Sequence, residues 1–100
     1  MDDNQRRYLA EVRRIVSVHL RPEEADVYLF GSWARDDIRQ HSDIDVAIQP
    51  REAFNPGCLP HLRDALEESH VPYAVDVVDL TAVEGPFRDR VMREGVRWSA

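Results

Sequence analysis

Apolar residues recur at three- and four-residue steps from Leu9 through Val12 and Val16 to Leu20, with Ile15 and His19 flanking them. That is the period of an amphipathic helix, so a first helix is expected over residues 4–20. Arg6, Arg7, Arg13 and Arg14 fall toward its polar side, and Arg21-Pro22 ends it. Val27-Tyr28-Leu29-Phe30 is a short unbroken apolar run closed by Gly31, the pattern of a buried strand. Ser32 to Asp37 is expected to open a short helix with Ser32 as its N-cap, and residues 38–42 read as a polar loop. From Asp43 to Gln49 the period becomes two. Ile44, Val46 and Ile48 point one way, Asp43, Asp45 and Ala47 the other, and Pro50 closes this second strand. After a loop over residues 51–60, Leu59, Leu62, Ala65 and Leu66 predict a helix to about Ser69. The valine-rich segment 71–80 predicts a third strand. Thr81-Ala82-Val83-Glu84 has the spacing of a capping box, Pro86 suits a first helical turn, and Gly95 suits the C-cap of a helix ending at Glu94. Phe87, Val91 and Met92 are expected to form its core face. Helices alternating with strands indicate an α/β chain, in which helices flank a small mixed sheet.

Composition narrows the function more than the fold. A chain of 100 residues fits one domain spanning 1–100, and 43% hydrophobic residues suffice for one modest core. No apolar run approaches the roughly 18 residues of a membrane span, and the start Met1-Asp2-Asp3-Asn4 does not read as a secretory signal. The single cysteine, Cys58, allows no internal disulfide, so a cytoplasmic setting is the expectation. The net charge of −6 argues against general nucleic-acid binding. All thirteen basic residues are arginine, and without a lysine no P-loop can form. The histidines His19, His41, His61 and His70 are too scattered for a zinc site and read as surface or boundary residues.

The unusual chemistry lies in the aspartates. Residues two apart on a strand share a face about 6–7 Å apart, so Asp43 and Asp45 set two like charges side by side. Asp is disfavoured in strands and neighbouring carboxylates repel. Either this is a solvent-exposed strand face, or a divalent cation removes the conflict, with hard oxygen ligands suiting Mg²⁺. Asp76 sits among apolar residues in Tyr73-Ala74-Val75-Asp76-Val77-Val78-Asp79, where a charge needs a reason. If the two strands share a face, Asp76 completes a three-carboxylate cluster able to hold two ions for in-line phosphoryl displacement. Asp79, three residues on, faces the other way and is expected to shape the turn that follows. Gly31-Ser32 after a buried strand is either an ordinary strand-to-helix turn or a phosphate contact, with backbone approach opened by the glycine. Arg35 either meets a phosphate or pairs with Asp36 or Asp37. Trp33 either stacks on a base or packs in the core.

Taken together these motifs resemble a known family. Gly31-Ser32, ten intervening residues, then Asp43-x-Asp45 is similar to the signature of the DNA polymerase beta-like nucleotidyltransferases. The fuller text, Phe30-Gly31-Ser32-Trp33-Ala34-Arg35 and Ser42-Asp43-Ile44-Asp45-Val46-Ala47-Ile48, resembles their small branch, the minimal nucleotidyltransferase (MNT) domains. Val75-Asp76-Val77-Val78-Asp79-Leu80 resembles the strand that carries the third carboxylate, and the likeness runs from about residue 27 to 97. Two positions depart from it: Trp33 stands where a basic or small residue is frequent, and Asp36 where glycine is common.

The resemblance implies a polymerase beta palm-like nucleotidyltransferase fold. It assigns Gly31 and Ser32 to the triphosphate, beside which Arg35 is a candidate nucleotide contact, and Asp43, Asp45 and Asp76 to the metal, two Mg²⁺ ions, with Asp76 also a base for the attacking hydroxyl. It implies ATP as substrate and AMP transfer to a tyrosine of a HEPN-domain toxin, with the chain acting as antitoxin in a hetero-oligomer. The chain leaves no length for an acceptor-binding domain, so the acceptor is expected on another protein. Two alternatives stand beside this reading. One is an antitoxin that blocks its partner sterically without chemistry. The other is a small-molecule or RNA nucleotidyltransferase with a separate substrate subunit.

Overall fold

The computed structural model describes residues 1–39 and 42–98. Gln40 and His41, within the expected polar loop, lie outside the described residues. Helix α1 spans Asp3–His19. Its N-terminus is tied by a reciprocal pair: the Gln5 backbone N–H donates to the Asp2 carboxylate at 2.7 Å, and the Asp2 N–H donates to the Gln5 side-chain oxygen at 2.9 Å. Such a box satisfies two of the donors that a helix start leaves open. Val12, Ile15 and Val16 form the buried face, as the period predicts.

Four strands form one sheet in the order β3-β2-β1-β4: β1 is Ala25–Phe30, β2 Ile44–Pro50, β3 Val75–Asp79 and β4 Val96–Arg97. β1 runs antiparallel to β2 and to β4, while β2 and β3 are parallel. The sheet is therefore mixed, with helix α2 (Cys58–Glu68) in the crossover between its parallel strands. Alternation sorts the side chains into two sets. Val27, Leu29, Ile44, Val46, Ile48 and Val77 join Val12, Val16, Leu62 and Leu66 in the main core, under α1 and α2. Tyr28, Ala47, Leu80 and Val91 form a smaller cluster under helix α3 (Gly85–Glu94), with Phe30 and Phe87 packed against it.

Several local expectations change. The third strand starts at Val75, not Val71. A two-residue strand, β4, follows Gly95 and pairs with β1, a length below what a hydrophobic pattern can reveal. The Thr81–Glu84 capping box does not form. Instead Leu80–Ala82 is a 3₁₀ turn, and α3 begins at Gly85 with no side-chain cap bond from Glu84. Asp79 has taken the capping role: its carboxylate accepts from the Thr81 N–H at 2.9 Å and the Thr81 hydroxyl at 2.7 Å. Met92, expected in the core, is 43% exposed. Gly95 closes α3, its N–H donating to the Val91 carbonyl at 2.7 Å. A β-carbon there would sit 2.5 Å from that carbonyl and 3.1 Å from the Leu29 carbonyl, so the glycine lets β4 lie close against β1. Among the described residues, no helix is long and apolar enough to cross a membrane.

Candidate active site

The pairing register decides where the aspartates stand. Asp45 is opposite Phe30 on β1 and opposite Asp76 on β3, so Phe30, Asp45 and Asp76 form one row across three strands. Neighbours on adjacent strands share a face. That face is the one turned away from α1 and α2, since Ile44, Val46 and Val77 beside them enter the main core. Asp43 lies ahead of β2 and is exposed. It borders a hollow of about 490 Å³ with Ile38, Arg39, Ser42, Tyr73 and Ala74. The backbone is held there by the Ile44 N–H, which donates to the Ala74 carbonyl at 2.9 Å and starts the parallel pairing.

Partial burial holds the Asp45 carboxyl above the usual carboxylate range. Asp76 and then Asp43 push it further up, while Arg35 pulls it down. Three carboxylates and one guanidinium are thus within electrostatic reach of a single point. Among the described residues, no three His, Cys, Asp or Glu side chains are already drawn into a metal cage. The donor set is nevertheless all carboxylate oxygen, and it carries a repulsion that Arg35 offsets only in part and a hard divalent cation would neutralise. In residue type and charge, it fits Mg²⁺.

Gly31 follows Phe30 and turns the chain across the end of this row. Its φ of +74° is left-handed, and a β-carbon placed on it would overlap the Asp45 carboxylate. Glycine therefore answers two demands at once, the turn and the close approach of backbone to carboxylate. Ser32 does not cap a helix as expected. Gly31–Trp33 is a 3₁₀ turn with Phe30 as N-cap and no side-chain cap bond. The backbone closes the turn by itself, through Ala34 and Arg35 N–H groups to the Gly31 carbonyl and the Asp37 N–H to the Ser32 carbonyl.

Trp33 is a core residue, 1% exposed. Its ring meets Tyr73 edge-on at 4.8 Å, and its indole N–H donates to the Ser42 carbonyl at 3.3 Å. It fastens the turn after β1 to the loop before β2, so Gly31 and Asp43 are positioned by one buried ring. Base stacking by Trp33 is excluded by this burial. Asp36 has φ +55°, the left-handed conformation that explains why glycine suits this position; aspartate tolerates it better than most residues. Arg35 makes no ion pair with Asp36 or Asp37 among the described residues. Asp36 pairs with the Met1 ammonium at 3.0 Å, and Asp37 lies 3.9 Å from Arg39. Arg35 instead lines a cavity of about 310 Å³ with Phe30, Gly31, Ala34, Arg90, Val91 and Glu94. Arg90 and Glu94 carry no motif signal, because only the packing of α3 against β1 brings them beside Gly31.

This arrangement coincides with a family match. The polymerase beta nucleotidyltransferase family model matches residues 15–97. The chain belongs to that family. Among curated members, a Haemophilus influenzae protein named as a protein adenylyltransferase, MntA, is 30% identical over 67% of this chain and 59% of its own length. The chain thus spans less than two thirds of that relative. A Methanocaldococcus jannaschii protein, also named as a protein adenylyltransferase, is 30% identical over 84% of this chain and 89% of its own. The nucleotidyltransferase fold is likewise shared with solved structures. A minimal nucleotidyltransferase superposes with a TM-score of 0.74 at 28% identity, covering 96% of this chain and 95% of that one. A mutant of the MntA–HpeT toxin–antitoxin superposes with a TM-score of 0.65 at 26% identity, covering 89% and 69%.

Proposed function

We propose that this nucleotidyltransferase is a Mg²⁺-dependent protein adenylyltransferase that transfers AMP from ATP to a tyrosine hydroxyl of a HEPN-type toxin, and so acts as its antitoxin. The observation that carries the reading is the Asp45–Asp76 register pair, set beside Gly31 and within reach of Asp43 and Arg35. The names borne by the two curated relatives support a protein acceptor, and the toxin–antitoxin neighbour supports a toxin as that protein.

Gly31 leaves room for a triphosphate to approach the carboxylate row, and the Ser32 hydroxyl and Arg35 guanidinium stand at the same turn as donors. Asp43, Asp45 and Asp76 would hold the metal, whose charge, when bound, stabilises the transferring phosphoryl group. Asp76, exposed on edge strand β3, accepts the proton of the incoming hydroxyl. The acceptor oxygen bonds to the α-phosphorus as the bond to the β-phosphate oxygen breaks, and pyrophosphate leaves.

The test is to co-express the chain with its toxin partner and weigh the partner intact. Wild type should add one or more AMP units. A variant carrying Asp43→Asn and Asp45→Asn should co-purify with the partner yet add none, and should not protect cells. Full protection by the unlabelled complex would establish steric neutralisation instead. Transfer to RNA or a small molecule with no labelled protein would move the acceptor to another class.

A further inference from the structure

The cavity beside Gly31 has a second wall that the family motifs do not reach. It is built by α3, which contributes Arg90, Val91 and Glu94, while Phe30, Gly31, Ala34 and Arg35 form the rest. Phe30 is also the β1 member of the row that continues through Asp45 to Asp76. The cavity is thus the direct extension of the carboxylate row on the far side of Gly31.

Its charge runs against that of the chain. The protein has a net charge of −6, yet two guanidiniums and one carboxylate line this space. Among the described residues neither Arg35 nor Arg90 is in an ion pair, as Arg7, Arg13, Arg63 and Arg93 are not, whereas Arg6, Arg14, Arg21, Arg39, Arg51, Arg88 and Arg97 each are. Arg90 is exposed, and its guanidinium lies 5.8 Å from the centre of the Phe87 ring, which meets Phe30 edge-on at 5.9 Å. Stacking on a ring leaves the N–H fork of arginine free to donate in its own plane.

We infer that Arg90 is a binding residue for the two outer phosphates of the nucleotide, acting with Arg35 from a different element, and that it retains the pyrophosphate as it separates. This rests on the nucleotidyltransferase reading above. With the α-phosphate at Asp45 and Asp76 and the chain of phosphates passing Gly31, the outer phosphates enter this cavity. A planar fork is suited to bidentate phosphate contact, which lysine cannot reproduce.

The measurement is calorimetric binding, with Mg²⁺ present, of AMP and of an ATP analogue whose α–β linkage cannot be cleaved. Arg90→Gln should weaken the analogue about tenfold, the loss of one charge-assisted contact, and leave AMP within twofold. Arg90→Lys, which keeps the charge and the stem over Phe87, should fall between the two and guards against a folding defect. Arg93→Gln makes the same charge change on α3 outside the cavity and should bind like wild type. Equal binding of the analogue by wild type and Arg90→Gln overturns the inference alone. So does an equal loss for AMP and analogue, which would mark a packing role. A wild-type protein that binds neither ligand overturns the nucleotidyltransferase reading and the inference with it.

Discussion

At the scale of single residues, the site is a place where the fold tolerates local cost. Asp45 is partly buried, faces Asp76 directly and feels Asp43, and its carboxyl is held above its ordinary range. A carboxyl whose folded pKa exceeds its unfolded value binds its proton more tightly in the folded state. The resulting penalty is fully present above the folded pKa and disappears as the pH falls through the unfolded value, about 3.9. In metal-free protein, Asp45→Asn should therefore raise the melting temperature at pH 7. Solvent screening limits the gain to roughly 0.5 kcal/mol, or about 2–4 °C. The advantage should shrink as the pH falls toward 4 and vanish only below it, as thermal melts across that range would show. An unchanged or lower melting temperature at pH 7 would mean that the carboxylates do not repel. The same variant should lose nucleotide transfer. Gly31→Ala should act in the opposite direction on stability. A left-handed residue with a β-carbon costs about 1–2 kcal/mol, and here the Asp45 carboxylate must also move. Urea unfolding should show at least that loss, with nucleotide binding impaired alongside it.

At the scale of elements, the sequence was legible where a period is long and uninterrupted. The steps from Leu9 to Leu20 locate α1, and the alternation from Ile44 to Ile48 assigns both faces of β2 correctly. The aspartate spacing could place Asp43 and Asp45 near each other, but only the parallel pairing of β2 with β3 sets Asp45 opposite Asp76. Ends were less legible, because competing caps decide them. Asp2 and Gln5 form the capping box at α1 that Thr81 and Glu84 do not form near α3. Asp79 outcompetes them by bonding Thr81 from one residue before the 3₁₀ turn. The cavity wall at Arg90 was not legible at all, since it arises from tertiary packing without a local pattern. The division of labour proposed between Asp76 and Asp79 gives a prediction at this scale. Asp79→Ala should lower stability by about 1 kcal/mol, as other lost caps do, and leave nucleotide transfer near wild type. Asp76→Ala should do the reverse, with transfer lost and stability unchanged or raised. Thermal melts and a labelling time course on both variants check it, and loss of transfer by Asp79→Ala at intact stability would reassign the third carboxylate.

At the scale of the whole molecule, the two faces of the sheet have different tasks. One is closed by α1 and α2 over the main core, with Ile44, Val46, Ile48 and Val77 sealed inside. The other is covered by α3 only toward β1, which leaves the Asp45–Asp76 end open beside edge strand β3. Under the proposed function, an acceptor hydroxyl must arrive on that open end, carried by a partner that docks on surface beyond the carboxylates. Docking and chemistry then depend on different parts of the molecule. Removing the divalent cation should separate them. In excess chelator the chain should still co-elute with its toxin partner, because the sheet and helices that shape the docking surface are held by apolar packing. Transfer of AMP should stop in the same sample, because nothing then offsets the charge that develops at the α-phosphorus among three carboxylates. Adding Mg²⁺ back should restore labelling without refolding. Size-exclusion chromatography and intact mass on the same fractions make both readings at once. Labelling that continues in chelator would remove the metal from the mechanism, whereas dissociation of the complex in chelator would place the carboxylate cluster within the docking surface itself.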